Sequence, residues 1–288
     1  MLRGLYTAAA GLTAQQRRHD TVTNNIANIN TPGYKQTNAV TRSFPEMLLS
    51  LTGVDANDAR EVGRLSTGVF AEESLSVYLQ GDLMQTNRSS DFALVSDIAV
   101  PGMAFDESGK YVSPDGEVTF QPQAFFTLQN ATGETRYTRG GSFMLDSEGF
   151  LVTGDGSSVV GANGQPIQFP PNVSIDDLVL VDNNRFINAK TGEDTGVQLL
   201  LTRVDNPNQL AREGNGNYRL EGDEAGARPV AAGEQVEIRQ GFIERSNVDA
   251  AQSSVDLMSA LRAYEANQKI IQAYDESLDK AVNQVGRI

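Results

Sequence analysis

The chain has no cysteine and no tryptophan, one histidine, and no apolar run near the length of a membrane span. Each absence narrows what the protein can do. Without cysteine there is no disulfide staple, no thiol nucleophile and no cysteine zinc site, although the compartment is left open. His19 stands alone, so a zinc site or a Ser-His-Asp triad lacks partners, and a place on a helix seam or surface is expected for it. The P-loop, GxGxxG, HExxH and GxSxG patterns are missing, and nothing sets two of the 37 acidic residues apart as a glycosidase pair. Catalysis is therefore not expected, nor is a cofactor or a metal. Positive charge is also scarce. With 23 Lys and Arg and a net charge of -14, no basic stripe is available to displace counterions from phosphates, which argues against nucleic acid. Membrane insertion is not expected either.

What is present is a soluble composition, 39% apolar and 21% charged, over 288 residues, enough for one to three domains with real cores. The acidity is uneven: residues 1–50 hold five basic and two acidic residues, a net of +3, so the negative excess lies further along. The end of the chain carries the strongest periodicity. Leu257, Leu261, Tyr264, Gln268, Ile271, Asp275, Leu278, Val282 and Val285 alternate by steps of four and three. This is a coiled-coil seam, and the stretch from Val248 to Val285 has no Gly or Pro, so a helix of roughly 55 Å is expected. The stripe is narrow and carries Gln268 and Asp275, so its partner should be another long helix.

The start of the chain supplies a matching seam. Leu2, Leu5, Ala9, Leu12, Gln16, His19, Thr23 and Ile26 follow the same steps, and NINTPG at 28–33 ends the helix with turn chemistry. This region is not read as a cleaved secretion signal, because Tyr6, Thr7, Gly11 and Thr13 dilute its apolar part and the helical pattern runs on. The fold class expected is α+β: long N- and C-terminal helices forming a coiled coil, with a mainly antiparallel β domain inserted between them. Residues 1–43 hold the first helix and the turn and pack with 245–288. Residues 44–66 form a linker in which FPEMLLSL makes one or two helical contact turns, and 67–244 form the β-rich domain.

Within that β-rich stretch, Asp115-Gly116, Asp155-Gly156 and Asn163-Gly164 are tight-turn dipeptides between runs rich in Val, Leu, Phe and Tyr. An internal echo also appears. The pattern Asp-x-x-Gly-x-(Tyr or Leu)-Val-x-x-Asp-Gly occurs at Asp106 to Gly116 and again at Asp146 to Gly156. A turn, a short strand and a second turn explain both copies, because Gly and Asp accept left-handed backbone. A calcium loop is the alternative, but neither copy has EF-hand spacing.

Three stretches carry a resemblance. NNIANINTPGYK at 24–35 and GFIERSNVDAAQSSVDLMSALRAYEANQKIIQAYDESLDKAVNQVG at 241–286 closely resemble the terminal signatures of the bacterial flagellar rod and hook protein family. YTRGGSFMLDSEGFLVTGDGSSVVG at 137–161 resembles the β segment that family shares. Residues 95–123 look longer than the family's usual approach to its Phe-rich strand, which points to an extra hairpin. The resemblance implies a structural rod subunit of the basal body that assembles helically through its terminal helices and transmits torque. Its partners would be copies of itself, other rod and hook subunits and the flagellar export apparatus. Its place would be extracytoplasmic, reached by export without a cleaved signal. An adhesin-like β module on a helical stalk is the alternative. The expected assembly residues are Leu2, Leu5, Leu12 and Ile26 on one helix, and Leu257, Leu261, Tyr264, Asn267, Ile271, Leu278 and Val282 on the other. At the turn they are Asn24, Asn25, Asn28 and Asn30 bonding backbone, Pro32 and Gly33 reversing the chain, Tyr34 packing beyond it, and Asn247 from the C-terminal signature.

Overall fold

A computed structural model describes residues 2–50, 61–106, 109–170, 173–181, 184–222, 224–231 and 233–285. The fold is α+β, with one helix at each end and antiparallel strands between them. The chain divides into two units. One contains residues 1–27, 37–75 and 249–288, and the other residues 28–36 and 76–248.

In the first unit, α1 (Leu2–Ala27, 26 residues) packs against α2 (Ala250–Lys280, 31 residues). Asp249 caps α2, its carboxylate accepting from the amides of Ala251 and Gln252 at 2.8 and 3.0 Å. The last turn, Ala281–Val285, widens to a π-helix. The regular part of α2 is thus about 46 Å long, shorter than expected, and α1 about 39 Å. No described helix is long and apolar enough to cross a membrane. The helices run antiparallel: Gly4 lies at Tyr274, Gly11 at Asn267, and the Arg18 guanidinium meets the Asp256 carboxylate at 3.0 Å.

The buried faces correct the expected seams by one residue on alternate steps. Leu5, Leu12, His19 and Ile26, like Leu257, Tyr264, Ile271 and Leu278, are half-buried. Ala9, Gln16 and Thr23, and likewise Leu261, Gln268, Asp275 and Val282, are exposed. Their places are taken by Gly4, Ala8, Gly11, Ser253, Ala260, Asn267 and Tyr274. The cause is how side chains from one helix seat on the other: a β-carbon on Gly4 would fall 2.0 Å from the Tyr274 hydroxyl and one on Gly11 3.2 Å from the Asn267 side chain, so glycine on α1 makes room for Tyr274 and Asn267 of α2. The side chain of Leu2 lies outside the described residues.

Strands complete this unit. Val69–Ala71 pairs with Thr41–Ser43, and Ala71 accepts a hydrogen bond from Arg17 of α1 at 3.2 Å. Met47–Ser50 pairs with Glu61–Leu65, so the apolar run expected to form helical turns is a strand. An apolar run as short as Met47–Leu49 fits either state, and the pairing decides it. Residues 37–75 therefore group with the helices, and the β unit's main segment begins at 76.

The β unit is organised around Gln123–Gln129. This strand lies in a nine-stranded antiparallel sheet, paired on one edge with Thr135–Thr138 and on the other with Ser158–Val159 and Leu201–Val204. Phe125 and Phe126 point to opposite faces, and both are fully buried. Phe126 joins Phe92, Leu128, Phe143, Phe169 and Phe186 in the larger core, and Phe125 joins Tyr78, Tyr137, Leu210 and Tyr218 in the smaller. A strand buried on both faces loses polar alternation, which is why AFF stands unbroken in QAFFTLQ and the one inner polar residue, Thr127, meets the Thr202 hydroxyl at 2.6 Å.

The helix seam gives a direct test. Ala260→Leu forces a large side chain into the close contact and is expected to destabilise the helical unit by about 1–3 kcal/mol. Leu261→Ala, on the exposed flank, should cost less than about 0.5 kcal/mol. Thermal unfolding followed by circular dichroism at the helix band compares the two, and a larger loss for Leu261→Ala would contradict this seam.

Candidate functional site

Three segments far apart in sequence meet in the β unit: the turn at 28–36, the loop after Thr135–Thr138, and the strand Phe242–Glu244 with the residues that follow it. Each brings one charge into a dry centre. The Lys35 ammonium donates to the Glu244 carboxylate at 2.5 Å and to the Leu79 carbonyl at 2.6 Å. The other Glu244 oxygen accepts from the Arg139 Nε at 3.0 Å. All three residues are 0–1% exposed. Arg139 is fully engaged, donating to the hydroxyl of Ser96, the Gln80 side chain, and the carbonyls of Ala124 and Leu94. The Gly81 amide adds a bond of 2.9 Å to Glu244.

Glycine makes this convergence possible. Gly33 has φ +69°, and a β-carbon there would lie 2.6 Å from the Arg139 carbonyl carbon. Its amide donates to the Glu244 carbonyl at 2.8 Å. Gly81 is equally tight, since a β-carbon would meet the Arg245 carbonyl oxygen at 2.0 Å. Tyr34 is buried, and the Arg212 guanidinium carbon sits 4.6 Å over its ring while donating to the Lys35 carbonyl. Asn247 braces the same turn: its amide oxygen accepts from Gln36 N at 2.6 Å, and its NH2 donates to the Val77 carbonyl at 2.9 Å.

The electrostatics follow from the count of charges. Two cations share one carboxylate, so the centre holds a net positive charge away from water. Burial, then the Arg139 charge, outweigh the attraction of Glu244 and lower the Lys35 pKa to about 8. Burial would raise the Glu244 carboxyl, yet Arg139 and Lys35 hold it below its ordinary value. Tyr78 and Tyr218 nearby are pushed up by burial.

The residues expected from the sequence divide between the two units. Gly33, Tyr34 and Asn247 belong to the centre. Asn25 bonds backbone as expected, but within the helical unit, exchanging two hydrogen bonds with Thr37 at 2.8 and 3.0 Å. Asn28 accepts from the Thr31 hydroxyl at 3.2 Å, Pro32 is half-buried, and Asn24 and Asn30 are exposed. On the helices, Leu5, Leu12, Ile26, Leu257, Tyr264, Asn267, Ile271 and Leu278 are half-buried, Asn267 against Gly11 of the other helix, and Leu261 and Val282 face solvent. Lys35, Arg139 and Glu244 were not expected as a group. The available signal was that each recognisable stretch, NTPGYK, YTRGG and GFIE, contains one of them. Among the described residues no group of three or more His, Cys, Asp or Glu could hold a metal. The Asp106 and Asp146 carboxylates accept instead from the amides of Lys110 and Phe150 at 2.9 and 2.8 Å.

The centre ties together three distant segments of the chain, which lie in sequence between the two packed helices. Residues 5–35 match the family described as flagella basal body rod protein, 121–184 the D1 domain of the flagellar hook protein FlgE/F/G, and 239–285 the C-terminal part of the flagellar basal body rod FlgEFG protein. Over the full length of both chains the sequence is 35% identical to the flagellar hook-basal body complex protein FlhO of Bacillus subtilis. It is 30% identical to the flagellar basal-body rod protein FlgG of Borreliella burgdorferi, covering 98% of each chain. The chain belongs to the flagellar rod and hook protein family. The three matched regions contribute Lys35, Arg139 and Glu244 in turn.

The charge count has measurable consequences. Glu244→Gln leaves two buried cations facing each other and is expected to cost about 3–5 kcal/mol at neutral pH, whereas Lys35→Met retains the Arg139–Glu244 pair and should cost much less. Below pH 8 Lys35 is charged whether folded or unfolded, and its burial penalty acts in full. Between about 8 and 10.5 only the unfolded chain keeps the proton, so this group makes stability rise with pH. Denaturant titrations of the wild type and Lys35→Met should show this rise, on the order of 3 kcal/mol, in the wild type only; parallel pH profiles would refute it.

Proposed function

We propose that the chain is a structural subunit of the flagellar basal-body rod, joining copies of itself and neighbouring rod and hook subunits through its terminal helices into a helical array that transmits torque. The observation that carries this reading is the outer side of α2, where Val255, Met258 and Leu261, three residues apart in turn, are 56%, 52% and 45% exposed on a helix whose inner seam is already occupied by α1. Apolar side chains left outside a filled seam are suited to further helices. A coiled-coil arrangement thus arises between subunits as well as within one. The inner and outer faces of the pair differ, so contacts are heterologous and propagate as an open array rather than closing into a dimer. Such a subunit works outside the cytoplasm, and the reading includes delivery by the flagellar export apparatus without a cleaved signal.

The outer face can be changed without touching the fold. Val255→Asp combined with Met258→Asp and Leu261→Asp in a flagellated host should leave the purified chain's circular dichroism unchanged while abolishing rod completion and motility. Finished rods and hooks with normal swimming, seen by imaging of basal bodies, would sink the reading.

A further inference from the structure

The internal echo in the sequence is a structural repeat, and only one copy is completed. At the first, Asp106 N donates to Lys110 O at 3.0 Å, Gly109 N to Asp106 O at 2.9 Å, Ser113 N to Glu117 O at 2.8 Å and Gly116 N to Ser113 O at 2.9 Å. At the second, forty residues on, the same four bonds join Asp146, Gly149, Phe150, Thr153, Gly156 and Ser157 at 3.0, 3.2, 2.9 and 2.9 Å. The glycines match too, with φ +73° and +84° against +84° and +85°. Even the strand register is shared, Val118↔Val112 in one and Val152↔Ser158 in the other.

Their surroundings differ. In the second copy Phe143–Leu145 flanks one side, and Ser158–Val159 pairs on the other with Gln123–Gln129, through Leu128↔Val159 and Gln129↔Ser158. In the first copy, Lys110–Val112 and Val118–Phe120 form a sheet of two strands and no more among the described residues. The exposures record the consequence. Met103 and Val112 are 36% and 54% exposed where their counterparts Phe143 and Val152 are 3% and 9%, and Val118 is 43% exposed.

We propose that this hairpin is a docking arm, which takes an edge strand from the β unit of a second copy along its Val118–Phe120 edge. The proposal rests on the assembly reading above. The second repeat shows what covers this motif, namely an antiparallel strand of this same chain. The β unit also offers ends where such a strand can be found: Phe143–Leu145, with Met144 52% exposed, and Leu210–Gly214 terminate its large sheet. Hairpin and sheet end are different surfaces, so their contact repeats from copy to copy in the sense that a helical array requires. Backbone pairing supplies the bonds, and Val112 and Val118 supply the apolar cross-strand contacts.

Purified full-length chain with Val112→Asp and Val118→Lys, an opposite-charge pair across the Val112–Val118 register, tests this. Both sites are exposed, so circular dichroism and thermal unfolding should match the wild type, while the critical concentration for assembly in sedimentation rises by about tenfold or more. Because the chain has no cysteine, Val118→Cys carrying a benzophenone maleimide should crosslink to residues of another copy's β unit, and the same label at the exposed turn residue Thr191 should not. An unchanged critical concentration, or adducts confined to one chain, overturns the docking arm. So does an adduct formed only in flagellated cells, to a different polypeptide. If the wild type itself does not assemble at any concentration, and the α2 outer-face variant still builds rods, the assembly reading fails first and the docking arm with it.

Discussion

The β unit depends on one constraint: the buried Glu244 carboxylate must meet a cation, which Arg139 supplies and Lys35 doubles at the cost of its own burial. Lys35, Arg139 and Glu244 are separated by more than a hundred residues at each step, and each comes from a region matched by its own part of the family. Burying any one alone would be prohibitive, and the trio is tolerable because Arg139 engages all five of its donors on Glu244, Ser96, Gln80 and two carbonyls, while Lys35 donates to Glu244 and the Leu79 carbonyl. The arrangement ties the residues just after α1 to those just before α2. Gly33 and Gly81 follow from this requirement, since a methyl group at either would hold the backbones apart.

Much of this was legible in the sequence, and what was missed has a common cause. The helices, the turn at 28–33 and the β region are written in periodicity and turn residues, which are local signals. The seams were half legible. Leu5, Leu12, Leu257 and Ile271 stand where the apolar pattern puts them, whereas Gly4, Gly11 and Ala260 do not register as seam residues because their role is to be small. The strand Met47–Ser50 was misread as helical turns because its pairing with Glu61–Leu65 is not visible in a short apolar run. The ion centre was illegible for the same reason at longer range. Lys35 reads as a surface lysine until Glu244 is placed beside it.

Function follows from how the two units use these devices. The helical unit pairs its termini through small residues and leaves larger apolar ones, Val255, Met258 and Leu261, on its outside. The β unit fixes its entry and exit segments in the ion centre and carries two copies of the same turn–strand–turn motif, one within the large sheet and one forming a two-stranded sheet among the described residues. Small residues and the ion centre hold the interior of the two units, while the outer side of α2 and the hairpin are among the places where large apolar side chains stay exposed. That separation suits a subunit meant to be one member of an array.

Native-state hydrogen exchange tests the central claim most directly. The amides of Gly33, Gln36 and Gly81 donate to the Glu244 carbonyl, the Asn247 side chain and the Glu244 carboxylate respectively. If the ion centre is one cooperative lock, all three should exchange only through unfolding of the whole β unit, with the same opening free energy and the same denaturant dependence. Exchange of Gly33 and Gln36 through a low-energy local opening, with Gly81 still protected, would contradict it.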